Sequence, residues 1–131
     1  MDIIVNFGDG MKVNAHFKNF TVNTDQAKLV GGEESFPDPF SYFLSSLATC
    51  AGFFVLRFCQ SRNISTDGIQ LRMSNDWNKN QGRVENIHLE IEIPPSFPEK
   101  YASALIRATN ECSVKKALIN PPNIEVTTKV V

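Results

Sequence analysis

The sequence predicts an α+β domain in which short antiparallel strands accompany one long apolar helix. Residues 39–56 carry no charge and have the length and spacing of a helix. Residues 87–93 alternate between apolar and polar side chains, as expected for a strand with one buried face. The segments "GDG" at 8–10 and "NKNQG" at 78–82 are typical of hairpin connections. The length of 131 residues suits a single domain over residues 1–131.

The composition is that of an ordinary globular protein. Hydrophobic residues make up 42% of the chain and charged residues 21%, and the formal net charge is −1. Since no segment is strongly basic, nothing predicts binding to nucleic acid. Three cysteines without a signal-peptide pattern predict free thiols in a reducing, cytoplasmic setting. Two histidines and no C-x-x-C motif predict no metal site.

The N-terminal third predicts strands followed by a loop. "DIIVNF" at 2–7 reads as a strand, and one or two further strands fit "MKVNAHFKNFTVN" at 11–23. "VGGEESFPDP" at 30–39 predicts a loop. In the second strand region the alternation points three side chains inward, Val13, Ala15 and Phe17, and three outward, Lys12, Asn14 and His16.

A helix is predicted from Pro39 to about Ser61. Asp38 is suited to cap its free N–H groups, and proline fits the first helical position. Helical spacing gives two apolar stripes: Phe43, Leu47, Cys50 and Phe54 on one side, and Phe40, Leu44, Ala51, Val55 and Phe58 on another. Because a domain of this size rarely encloses a helix, we expect a second subunit to cover one stripe.

The same stretch is about long enough to span a bilayer. Serine and threonine residues dilute it, it starts at the turn-like "FPDP", and Arg57 and Arg62 follow its apolar part. A helix that is apolar all round is also found buried in protein. We therefore predict a buried helix and no membrane association.

The C-terminal half predicts a hairpin, two helices and a last strand. Strands are expected at 68–77 and 83–94. Ser96 and Glu99 form a capping-box pattern at the start of a helix whose apolar side holds Tyr101, Leu105 and Ala108. "TNEC" at 109–112 interrupts this helix, a second short helix starts near Cys112, and "NPPN" at 120–123 stops it. "IEVTTKVV" at 124–131 predicts the final strand.

The spacing of the cysteines limits their pairing. Cys50 and Cys59 lie about 13 Å apart along one helix and on opposite sides, too far for a disulfide. Cys112 is thus the only intramolecular candidate partner for Cys50. A helix N-terminus and the nearby Lys115 and Lys116 predict a lowered pKa for Cys112, whereas an apolar setting predicts a raised pKa for Cys50 unless a cation reaches it. The alternative is that each cysteine is a small buried hydrophobe.

Two cysteine segments resemble the OsmC/Ohr superfamily: "PFSYFLSSLATC" at 39–50 and "ECSVKKAL" at 111–118, followed by "NPPNIEV". The resemblance implies an α+β, OsmC-like fold with antiparallel sheets wrapped around a long central helix, built as an intertwined homodimer with active sites at the interface. It also implies that Cys50 attacks an organic hydroperoxide and becomes a sulfenic acid. Cys112 then resolves it as a disulfide, which an external dithiol reduces, and no metal or organic cofactor takes part.

The chain departs from the pattern at the activating groups. Family peroxidases have a Glu at the start of the central helix and an Arg from an N-terminal strand. Here Phe40 occupies the first position, Asp38 is the nearest acid, and the N-terminal segment has no Arg. Lys18 or His16 could supply the positive charge, or could be part of a solvated strand face.

Three functions therefore stay open at the level of the sequence. A peroxidase would bind its hydroperoxide through Phe40, Phe43, Phe53, Phe54 and Lys18. A binding protein on the same fold would hold an apolar or electrophilic small molecule between these phenylalanines at the dimer interface. A structural homodimer would bind no small ligand. The predicted discriminator is whether a cation reaches Cys50.

Overall fold

The computed structural model describes residues 1–131 and confirms the α+β fold class, with two antiparallel sheets and one long helix. The regular elements are β1 Ile4–Phe7, β2 Val13–Phe17, β3 Phe20–Thr24, α1 Pro39–Ser61, β4 Gln70–Asn78, β5 Arg83–Glu92, α2 Ala102–Thr109 and α3 Ser113–Ile119. Short 3₁₀ turns occupy Lys28–Val30 and Glu99–Tyr101. The chain forms two compact units, Met1–Ser45 and Ser46–Val131, so that the boundary falls within α1.

The first unit is built on a three-stranded meander in the order β1-β2-β3. Its first turn is the predicted "GDG", where Gly10 has a φ of 60°, a conformation that glycine adopts without strain. The 11–23 segment forms two strands, which pair from Val13↔Thr24 to Phe17↔Phe20. Two of the three predicted outward orientations are wrong: Lys12 and Asn14 are half-buried, whereas His16 is exposed. The Oδ1 atom of Asn14 is buried without a hydrogen-bond partner.

A buried carboxylate organises the loop that follows β3. Asp25 is 1% exposed and accepts hydrogen bonds from the N–H groups of Gln26 (2.8 Å), Glu33 (3.2 Å) and Ser35 (3.1 Å). The Ser35 hydroxyl adds a fourth at 2.7 Å. Led by the Ser35 hydroxyl, these donors lower the pKa of Asp25 to about 2. The loop is thus closed by an ionised side chain.

Helix α1 begins and ends where the sequence predicts. Asp38 accepts hydrogen bonds from the Ser41 N–H (3.1 Å) and hydroxyl (2.6 Å), and both lower the pKa of Asp38, the hydroxyl more. Five residues of α1 are buried: Leu47, Ala51, Val55, Phe58 and Cys59. The far side stays open, with Phe53 49% and Leu56 41% exposed. The chain by itself therefore covers only one side of its apolar helix.

By length and composition alone, α1 is the one helix that could cross a membrane. The core helix of a soluble protein has the same length and composition. In this chain Val55, Phe58 and Cys59 of α1 pack in a protein core with Phe97 and Leu105.

The second unit carries the β4–β5 hairpin and the two short helices. The connection lies at 79–82, one residue shorter than the predicted 78–82, because Asn78 still belongs to β4. The register slips at Asp76/Trp77. The apolar side chains of β5 are half-buried, Ile87, Leu89 and Ile91, whereas His88 and Glu90 are exposed. The predicted alternation is therefore confirmed over 87–91. It fails beyond that point, because Ile93, predicted to face the core, is 38% exposed and Glu92, predicted to face water, is half-buried.

Two predictions for the C-terminal part are wrong. The capping box does not form: the first helical turn starts after Pro98 in 3₁₀ geometry without a side-chain cap, and Ser96 lies two residues too early. The final strand is absent, since residues 121–131 have no regular secondary structure and are all exposed. A strand needs a neighbour to satisfy its backbone groups, and the single chain offers none here.

Candidate functional site

Two of the three cysteines meet between the middle of α1 and the start of α3. The half-buried Cys50 thiol lies 3.8 Å from the Ser113 hydroxyl, Sγ to Oγ. The Cys112 thiol is near enough to affect the ionisation of Cys50, since hydrogen bonding between the two thiols is among the causes that shift their pKa values. All three cysteines are free. The structure thus brings together the two cysteines that the sequence singled out.

A tight turn between α2 and α3 fixes the position of Cys112. The N–H groups of Asn110, Glu111 and Cys112 bond back to carbonyls of the last turn of α2. Cys112 is 1% exposed and is the N-cap of α3, where its Sγ accepts the Lys115 N–H at 3.4 Å. The thiol is therefore both a helix cap and the neighbour of Cys50.

The pKa values of the two cysteines shift in the directions opposite to those predicted from the sequence. Burial raises the pKa of Cys50, but hydrogen bonds from the Cys112 thiol, the Val114 N–H and the Ser113 hydroxyl outweigh it and leave the pKa lowered. The pKa of Cys112 is raised, by burial first and then by the hydrogen bond that holds its proton toward Cys50. At this site Cys50 is therefore the better thiolate and Cys112 the proton donor.

The ammonium groups of the two lysines near Cys112 do not lower its pKa as the sequence predicted. Lys115 Nζ bonds the Asn110 side-chain oxygen at 2.6 Å, and Lys116 Nζ bonds Glu111 at 2.6 Å. Both ammonium groups are thus engaged by neighbours on the turn. Dipolar donors, rather than a cation, lower the pKa of Cys50.

Cys59 lies apart from this pair. It is 0% exposed in the core with Val55 and Leu105, and burial raises its pKa. Arg62 lies over the Phe58 ring, 3.7 Å from the guanidinium carbon to the centroid. The environment of Cys59 is that of a small apolar side chain.

An apolar cavity of about 390 Å³ borders Cys112. Its walls come from α1, β5, α2 and α3, with Asn110, Thr109 and Lys115 as polar members. The remaining lining residues are Leu47, Ala51, Ile87, Leu89, Ile106, Leu118 and Ile119. A second cavity of about 290 Å³ shares Ala51, Leu89, Ile106 and Thr109 with it. No group of three or more His, Cys, Asp or Glu side chains is arranged to hold a metal ion.

The phenylalanines predicted to bind a ligand form two separate pairs. Phe40 and Phe43 are in contact in the first unit, with ring centroids 5.2 Å apart and ring planes tilted by 36°. Phe53 and Phe54 meet edge to face at 5.3 Å in the second unit, and neither lines the cavity beside Cys112. Lys18 occupies the turn between β2 and β3 with a φ of 50°. Their role in ligand binding stays a prediction.

Neither the Val114 N–H nor Ser113 was assigned a role from the sequence. Ser113 follows Cys112 directly and occupies the first position of α3. The segment "ECSVKK" could have indicated Ser113, because a serine that directly follows a helix-capping cysteine places its hydroxyl near the same neighbours as that cysteine.

Solved structures with the same fold come from several bacteria. An OsmC-like protein from Mycoplasma pneumoniae has a TM-score of 0.72 and 17% identity, over 92% of this chain and 87% of that one. A proposed osmotic stress induced and detoxification response protein from Psychrobacter arcticus has a TM-score of 0.74 and 19% identity, over 88% and 85%. An organic hydroperoxide resistance protein OsmC from Legionella pneumophila has a TM-score of 0.56 and 17% identity, over 90% and 89%.

No curated protein sequence matches the chain. The family model described as OsmC-like protein matches residues 32–127, a range that includes Cys50, Cys112 and Ser113. This range is well over half of the sequence, and the structural neighbours share its fold. The chain therefore belongs to the OsmC-like protein family.

Proposed function

We propose that this protein is a thiol-dependent peroxidase that reduces organic hydroperoxides, with Cys50 as the attacking thiolate and Cys112 as the resolving thiol. The observation that carries the proposal is geometric: Cys50 lies against the start of α3, 3.8 Å from Ser113 Oγ, where the buried Cys112 is the N-cap. The lowered pKa of Cys50 and the raised pKa of Cys112 support the same assignment of roles. A thiolate is the nucleophilic form of cysteine. The family membership and the hydroperoxide-resistance description of the Legionella pneumophila neighbour support the same role.

The proposed reaction is a two-electron reduction that balances within the site. The Cys50 thiolate attacks the terminal peroxide oxygen, the O–O bond breaks, and the alkoxide takes a proton from solvent water and leaves as the alcohol. Cys50 is then a sulfenic acid. The Cys112 sulfur attacks Cys50, a disulfide forms, and water leaves. An external dithiol reduces the disulfide by thiol–disulfide exchange.

The apolar cavity supports an organic substrate over hydrogen peroxide. It borders Cys112 and is walled mostly by aliphatic side chains, so an alkyl group gains free energy by entering it. Phe40, Phe43, Phe53, Phe54 and Lys18 remain the proposed substrate contacts in the assembled protein. The same cavity favours one alternative, a protein that binds an apolar or electrophilic small molecule without turnover.

We propose that the working form is a homodimer. Only eight hydrophobic residues of the chain are buried, whereas 22 large ones are exposed, among them Phe53 and Leu56 on α1. Exposed apolar surface on this scale marks an interface. An obligate dimer of this kind buries more than about 2,000 Å². A folded monomer at micromolar concentration in sedimentation equilibrium would contradict the proposal.

We also propose that the protein acts in the cytoplasm, because the proposed reaction needs free thiols and a dithiol reductant.

Treatment of the reduced protein with cumene hydroperoxide tests the reaction. We expect a Cys50–Cys112 disulfide, detected by peptide mass spectrometry, together with one equivalent of alcohol. Cys112→Ser should stop at the Cys50 sulfenic acid, which dimedone traps, and Cys50→Ser should not react. Cys59→Ser is the matched control and should react like the wild type. An unmodified Cys50 in excess peroxide would refute the peroxidase and favour the binding protein.

A further inference from the structure

We propose that Ser113 is a positioning residue for Cys50, whose hydroxyl donates a hydrogen bond to the Cys50 thiolate in place of the missing Arg–Glu pair. The inference rests on the proposed function in naming Cys50 as the reacting sulfur. It concerns a residue outside the two cysteines, and it explains how a thiolate is held in this chain without a guanidinium.

The negative charge of the Cys50 thiolate decides the direction of its hydrogen bond with Ser113. Ser113 Oγ lies 3.8 Å from Cys50 Sγ, within reach of a hydrogen bond to sulfur. Once Cys50 is ionised its sulfur can only accept, so the hydroxyl must donate. Hydrogen bonding from the Cys112 thiol is also among the causes that lower the pKa of Cys50, which makes Cys112 a second donor toward the same sulfur. Two side-chain donors therefore converge on one acceptor.

The position of Ser113 is set by the start of α3. Ser113 is the first residue of α3 and directly follows the cap residue Cys112, which the Lys115 N–H holds through its sulfur. Ser113 is itself exposed, so water competes for the thiolate. A net contribution at the usual level for a single hydrogen bond corresponds to a change of about threefold to tenfold in an equilibrium between thiol and thiolate.

The rate of Cys50 alkylation by iodoacetamide, followed against pH by peptide mass spectrometry, tests the proposal without any peroxide. In Ser113→Ala we expect the rate at pH 7 to fall about threefold to tenfold, with the midpoint moved to higher pH. Ser113→Thr keeps a hydroxyl and should restore the wild-type profile. Ser103→Ala, at an exposed serine of α2, is the matched control and should change nothing.

A second background separates a direct effect from displacement of Cys112. In Cys112→Ala the thiol donor is gone, and Ser113→Ala should still slow alkylation by a similar factor. Loss of the effect there, or an equal slowing in Ser113→Thr, would overturn the proposal. If Ser113→Ala does not fold, as judged by circular dichroism, Ser113→Gly replaces it as the hydroxyl-free variant with the same expected outcome.

The alkylation profile also keeps this inference distinct from the peroxidase. A lowered rate in Ser113→Ala, with no peroxide reaction in the wild type, would support the role of Ser113 and refute the proposed function. A normal alkylation profile in Ser113→Ala, together with peroxide reduction by the wild type, would refute the role of Ser113 and support the proposed function.

Discussion

Replacement of Leu105 by alanine probes the core that supports the cysteine site. Leu105 is 1% exposed and packs in the cluster of Val55, Phe58, Cys59 and Phe97 between α1 and α2. The change removes the equivalent of three methylene groups, about 2.5 kcal/mol of transfer free energy. The cavity that is left behind adds to this loss. We therefore expect the free energy of unfolding to fall by about 3 to 4 kcal/mol.

The adjacent Ile106 provides a matched control on the same helix. It is 59% exposed, so most of its side chain loses no packing on truncation. Alanine also has the higher helix propensity, which offsets part of the loss. For Ile106→Ala we expect a cost below about 1 kcal/mol.

Urea denaturation followed by circular dichroism measures both changes. All variants are compared at one protomer concentration, because the stability of a dimer depends on it. With an m-value of about 2 kcal/mol per molar, the midpoint of Leu105→Ala should fall by roughly 1.5 to 2 M. A cost for Leu105→Ala no larger than that of Ile106→Ala would refute the assignment of the core.

Three further predictions follow from single side chains. The folded pKa of Asp25 is about 2, below its ordinary value of 3.8, so ionised Asp25 contributes stability above about pH 4 that is lost as the pH falls toward 2. In Asp25→Asn, the free energy of unfolding should therefore change less with pH between pH 4 and 2 than in the wild type. An unchanged slope would contradict this prediction. A Cβ on Gly32 would lie 1.9 Å from the Gln26 carbonyl oxygen, so Gly32→Ala should lower the thermal midpoint, and an unchanged midpoint would speak against the close approach. Cys59→Ala should destabilise the fold by about 1 kcal/mol and leave alkylation of Cys50 unchanged, whereas slowed alkylation would link Cys59 to the site.

Local signals made the long helix predictable to the residue. Asp38 caps it, Pro39 starts it, and the end of the apolar spacing marks Ser61. The break before Cys112 and the stop at "NPPN" were equally local. Such features depend on a few neighbouring residues, which a sequence displays directly.

The predictions that were wrong depend on competition between neighbouring residues or on contacts with residues that are distant in the sequence. Ser96 and Glu99 match a capping box, yet the extended Pro98 becomes the cap position and shifts the start of the helix. The tail at 124–131 has a strand composition, but pairing depends on a partner strand that no local pattern reveals. The order of the cysteine pKa values depends on which donors converge on Cys50, and only the fold decides that.

The capping role of Cys112 links redox chemistry to local folding. Its sulfur closes the first turn of α3 by accepting the Lys115 N–H. A sulfur that is alkylated or oxidised is a poorer acceptor, so chemistry at Cys112 removes part of the free energy that holds this turn. By thermodynamic linkage, a more stable turn must also make the sulfur harder to modify. Amide hydrogen exchange at Lys115 thus becomes a direct report of the chemical state of Cys112.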